Sequence, residues 1–102
     1  MKLRWSNLAI HEFEDATERL AKQDPAAAQR IAQRIHEAAL RLCEFPYIGH
    51  LADDDGARHW LVRHTPFILV YEIHGDAIIV SRVFHTRRDP DALNDDASTP
   101  AA

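Results

Sequence analysis

Five consecutive residues, His85-Thr86-Arg87-Arg88-Asp89, follow a run of apolar residues and place an imidazole, a hydroxyl, two guanidiniums and a carboxylate side by side. An imidazole titrates close to neutral pH and can accept a proton, and a guanidinium presents planar paired donors to a phosphate or a carboxylate. Both chemistries depend on fixed placement, which the end of a strand supplies better than a loop does. The surrounding stretch is basic as well, with Arg58, Arg63, Arg82, Arg87 and Arg88 set against Glu72 and Asp76 between residues 58 and 88. Such a cluster suits either phosphate or an acidic protein surface. The simpler alternatives are a strand-end histidine with no chemical role and a solvated ion-pair cluster worth ~0–1 kcal/mol.

The chain has 102 residues, of which 46% are hydrophobic, which suits one domain with one modest core. A net charge of −4 argues against a surface that binds nucleic acid throughout. Ten of the twelve basic residues are arginine, a bias that suits bidentate recognition and that a GC-rich coding sequence would also produce. The single cysteine, Cys43, excludes an internal disulfide and a cysteine-only zinc site, and it reads as a small apolar residue on a helix. With no apolar leader and no membrane-length apolar run, the expected location is the cytoplasm. No Gly-rich phosphate loop and no paired metal-ligand spacing occurs, so neither cofactor nor metal is expected. The Asp53-Asp54-Asp55 run lacks a glutamate at calcium-loop spacing and reads as a solvated loop.

The elements that must hold the cluster follow from periodicity. Leu3 and Trp5 alternate with Lys2 and Arg4 as in a short edge strand. Ser6 can cap a helix over residues 7 to 22 with an apolar stripe of Ala9, Ile10, Phe13, Ala16, Thr17 and Leu20. Asp24-Pro25 predicts a second helix, its apolar face carrying Ile31, Ile35, Ala38, Leu42 and Phe45, and Pro46 ends it. The two should form an antiparallel hairpin, followed by a long polar connection. Strands are expected from Trp60 to His64, Pro66 to Ile73 and Ala77 to His85, with a tight turn at Gly75-Asp76. His59 and His64, five apart on one such strand, would point to opposite faces. The expected class is α+β, a helical hairpin packed on a three- to four-stranded antiparallel sheet. The domain should span residues 1–91, leaving 92–102 as an acidic disordered tail.

An unbroken pairing around Gly75-Asp76 sets Phe67 opposite Phe84, Leu69 opposite Arg82, Tyr71 opposite Val80 and Ile73 opposite Ile78. The second face then carries Ile68, Val70, Ile79 and Val83. Both faces are largely apolar, so one packs under the helices and the other awaits a partner. Trp5, Trp60, Phe13, Phe45 and Phe67 fall on periodic apolar positions and read as core.

Asp24-Pro25 with its alanines, Pro46-Tyr47-Ile48-Gly49, the run Pro66 to Tyr71, and Arg82-Val83-Phe84-His85 leading into Arg87-Arg88 come in an order that resembles the RelE/ParE superfamily of type II toxins, over residues 2 to 90. The arginine usual after the PxxG turn is His50 here. The resemblance implies one of two activities. RelE-like members cut mRNA on the ribosome, which needs a base, a phosphate-holding cation and support for the leaving oxygen. His85, Arg82 and Arg88 are the candidate catalytic residues under that reading. Ile68 stands where such nucleases place a strand arginine, a loss on the order of 3 kcal/mol, or about a hundredfold in rate. ParE-like members lack that constellation, and this chain resembles them more closely. They imply a toxin that binds DNA gyrase through Arg58, Arg63, Arg82, Arg87 and Arg88, with no catalytic centre of its own. A ParD-like antitoxin would then dock on Ile68, Val70, Ile79 and Val83 and in the helical hairpin groove. A decayed toxin that only pairs with its antitoxin is the third possibility.

Overall fold

The computed structural model describes residues 1–52 and 56–87. Arg88, the Asp53-Asp54-Asp55 run and the acidic tail lie outside the described residues. The element order is β1 (Lys2–Trp5), α1 (Asn7–Gln23), α2 (Pro25–Glu44), β2 (His50–Leu51), β3 (Arg58–Leu61), β4 (Phe67–His74) and β5 (Ala77–His85). The class is α+β, with two helices packed on one sheet.

Both helix starts are fixed by side-chain caps. Ser6 Oγ accepts from Ala9 N–H and donates to the Ser81 carbonyl, so one hydroxyl starts α1 and ties it to β5. Asp24 alone separates the helices: its N–H donates to the Leu20 carbonyl, closing α1, and its carboxylate accepts from Ala27 N–H, opening α2 at Pro25. A one-residue link forces the chain back on itself. Ala9 and Ala16 on α1, with Ala28, Ile35, Ala38, Ala39 and Leu42 on α2, supply the buried stripe.

The sheet has five strands in the order β1-β5-β4-β3-β2. It extends the expected antiparallel meander at both edges. β1 joins β5 in parallel, Lys2 beside Ala77 through Trp5 beside Val80, and the two-residue β2 pairs with β3 inside the segment expected to be loop. β3 begins at Arg58 and ends at Leu61; His64 sits in the following turn with φ of 60°, so it is not paired with His59 across one strand.

The register of the central hairpin corrects the unbroken pairing. Near the turn the pairs stand as expected, Ile73 with Ile78 and Tyr71 with Val80, and then a bulge at Ser81 shifts everything beyond. Phe67 faces His85, Ile68 faces Phe84, Leu69 faces Val83 and Val70 faces Arg82. A one-residue slip exchanges the faces. Val83 thereby enters the helix-side core with Phe67, Leu69, Tyr71, Ile78 and Val80, while Phe84 joins Ile68 and Val70 in a small cluster on the other side. Phe45, placed in the core by periodicity, is half exposed at the end of α2 with Arg41 over its ring. Among the described residues no helix is long and apolar enough to cross a membrane.

Candidate functional site

The end of β5 meets the turn between β3 and β4. Val62 N–H bonds to the Phe67 carbonyl and Thr86 N–H to the Pro66 carbonyl, which brings residues 62–66 beside residues 85–87. Arg63 and Arg87 are both exposed at this end. His85 is half-buried, its ring edge-on to Phe67 at 5.0 Å between centroids, and its Nδ1 accepts from Arg87 N–H at 3.1 Å. That contact ties one ring nitrogen of His85 to the chain's own backbone.

Arg82 does not point to a ligand. Its Nε and Nη2 bind both oxygens of Glu12 on α1, the shortest contact 2.7 Å, and its guanidinium lies 4.5 Å from the Phe84 ring centre. Glu12 Oε1 also accepts from Val83 N–H, two residues past Ser81. Glu12 was legible in the sequence only as one acid on the solvated face of a helix; the contact joins residues 70 positions apart. No local pattern encodes it.

Arg58 is also occupied. Its Nη1 donates to the Gly49 carbonyl at 2.8 Å and its guanidinium stacks 5.0 Å over Tyr47. Beside it, the fully buried Tyr71 donates its hydroxyl to the Pro46 carbonyl and accepts from Gly49 N–H. Burial pushes the Tyr71 hydroxyl up from its ordinary range, opposed by the Gly49 hydrogen bond and by the Arg58 charge. A Cβ on Gly49 would lie 2.4 Å from the Tyr71 oxygen, which is why the PxxG turn ends in glycine. Burial likewise raises the Cys43 thiol, a half-buried group on α2.

Of the five arginines assigned to target contact, Arg63 and Arg87 share one exposed end, Arg58 and Arg82 are spent on internal bonds, and Arg88 lies outside the described residues. Of the four residues assigned to an antitoxin, Ile68 and Val70 are 8% and 7% exposed under Ala57 and Phe84, and Ile79 is half-buried on their side. Val83 lies in the opposite layer, 3% exposed, so it is not part of that face. Leu61, paired with Ile68, is 57% exposed and extends the face toward the β2 edge. Among the described residues no three metal-ligating side chains group together.

The model for the ParE toxin of the type II toxin-antitoxin system parDE matches residues 3–90. The chain belongs to the ParE toxin family. Candidate toxin Y4kP of Sinorhizobium fredii is similar, 27% identical over 92 residues, covering 90% of this chain and 96% of that protein. A solved structure of a chromosomal ParDE system from P. aeruginosa shares the fold, with a TM-score of 0.74 at 20% identity over 83% of this chain and 95% of that one. This ParE-family chain shares that fold, and Arg63 and Arg87 are exposed at one end of its sheet.

Proposed function

We propose that this ParE-family toxin acts in the cytoplasm by binding DNA gyrase through protein contacts, and that a ParD-like antitoxin neutralises it. The observation that carries the reading is the bidentate clasp of Arg82 by Glu12. A nuclease of the RelE kind needs a strand cation free to hold phosphate, and here that cation is spent between α1 and β5. His85 supports the same side, because its Nδ1 is engaged by Arg87 N–H. Among the described residues, Arg63 and Arg87 are the two of these arginines left for a macromolecular target, and arginines on a fixed scaffold suit an acidic protein surface.

Expression of the chain without its antitoxin tests the reading. The expected outcome is growth arrest with a DNA-damage response and altered plasmid supercoiling, intact mRNA, and full activity in His85→Ala. Arg63→Ala combined with Arg87→Ala should abolish the arrest while leaving circular dichroism and the unfolding midpoint unchanged. Fragmented mRNA on translating ribosomes, lost in His85→Ala, is the result that sinks the proposal.

A further inference from the structure

His50 and His59 are nine residues apart in the chain, a separation that announces nothing, and the fold sets them opposite one another. His50 on β2 is the direct register partner of His59 on β3. His59 stands in turn beside Val70, which belongs with Ile68 and Phe84 to the cluster on the side of the sheet away from the helices. Directly paired residues of antiparallel strands project to one face, so both imidazoles rise from that side with Cβ atoms about 4.5–5.5 Å apart. His50 is exposed and His59 half-buried, so solvent reaches both.

The backbone beneath the pair is fixed on both flanks. Arg58 Nη1 donates to the Gly49 carbonyl at 2.8 Å, which joins the residues that precede His59 and His50, and Gly49 N–H donates to the Tyr71 hydroxyl at 2.9 Å. On the other flank Ala52 N–H donates to the Ala57 carbonyl at 2.9 Å and continues the ladder. Two ligands held this way lose little freedom when one ion joins them. Imidazole nitrogen suits zinc, copper and nickel, whereas calcium and magnesium take oxygen. Zinc–nitrogen bonds of ~2.0–2.1 Å require the two nitrogens to come within about 3.4 Å of each other, a gap that rotation about the two side-chain bonds closes from that Cβ spacing. Each ring has two nitrogens, so one that keeps a contact within the fold still offers the other to a metal.

We propose that His50 and His59 form a two-histidine site for a borderline divalent cation, zinc above all, which clips the two-residue strand β2 onto β3 while water completes the ion's coordination. The site is independent of the gyrase reading. A net charge of −4 favours the approach of a cation.

Isothermal titration of the untagged full chain, stripped with EDTA, against zinc chloride tests the site. Zinc should bind, and His50→Ala or His59→Ala should weaken binding at least tenfold. His50 is exposed, so His50→Ala carries the test even if His59→Ala fails to fold. His50→Cys, which supplies another zinc ligand, should recover binding. Zinc should also slow backbone hydrogen exchange at Leu51 and Ala52 in the wild type and leave it unchanged in His50→Ala, which reads the clip itself. Calcium bound as tightly as zinc would assign the ion to the carboxylates of Asp53-Asp54-Asp55. Zinc affinity kept in His50→Ala and lost in His74→Ala would assign it to the contact between His74 and Glu72. Either result, or no zinc binding by the wild-type chain, overturns the proposal.

Discussion

Two arginine sites at different places on one sheet have opposite fates. Around Arg58 the polar groups are turned inward: its guanidinium holds the Gly49 carbonyl and stacks on Tyr47, and Tyr71 bonds both ends of the Pro46–Gly49 turn. At the far end of β4 and β5, Arg63 and Arg87 are exposed, Arg87 on the rim of an open groove. The difference teaches that a guanidinium count does not locate a binding surface. Burial of a carbonyl or carboxylate nearby decides whether an arginine serves the fold or a partner, because a buried acceptor left unpaired costs more than an exposed cation gains.

Substitutions should break the first site through stability and the second only through binding. Gly49→Val forces a branched side chain onto the rigid Tyr71 ring and is expected to cost about 3 kcal/mol, read as a lowered urea midpoint at constant slope. Tyr71→Phe leaves Gly49 N–H and the Pro46 carbonyl without their partner and should cost about 2 kcal/mol. The same hydroxyl gives a pH signature. Its pKa is raised in the folded chain, so its contribution is fully present below the unfolded value near 10 and is lost as pH rises through the higher folded value. Stability measured upward from pH 9 should fall above about pH 10, and that component should vanish in Tyr71→Phe.

Glu12→Ala is a smaller perturbation, about 1 kcal/mol, since Arg82 keeps 40% of its side-chain surface in water and can be hydrated when its partner is gone. Glu12→Gln should recover part of the loss by still accepting from Val83 N–H. Backbone hydrogen exchange at Val83, faster in the alanine variant than in the glutamine variant, would sharpen the assignment of Glu12 to the bulge. The smallest effect on stability is expected for Arg63→Ala with Arg87→Ala, whose midpoint should match the wild type even as growth arrest disappears.

Local rules were enough for much of the fold. Ser6 and Asp24 announce both helix starts because a short polar side chain before an apolar stripe has one good use, satisfying free backbone N–H groups. Gly75, with φ of 60°, closes the hairpin where a turn residue was expected. The site was less legible. Alternation through Ile78, Val80, Arg82 and Phe84 predicts one continuous face, and nothing in those residues reports the bulge. Ser81 is held by contacts from elsewhere: its carbonyl accepts from Ser6 Oγ, and Val83 N–H, two residues on, donates to Glu12. Phe45 was misjudged for a related reason, since periodicity gives the side of an element and not how far the opposite layer reaches.

The sequence by itself determined the elements, their order, the hairpin turns and the family, because each depends on neighbours a few positions apart or on a pattern along the chain. Tertiary structure decided which cations remain available, by carrying Glu12 to Arg82 and the Gly49 carbonyl to Arg58 while leaving Arg63 and Arg87 at an open edge. Whether a charge faces water or an acceptor is a property of packed layers, where desolvation is large and no local residue pattern records it.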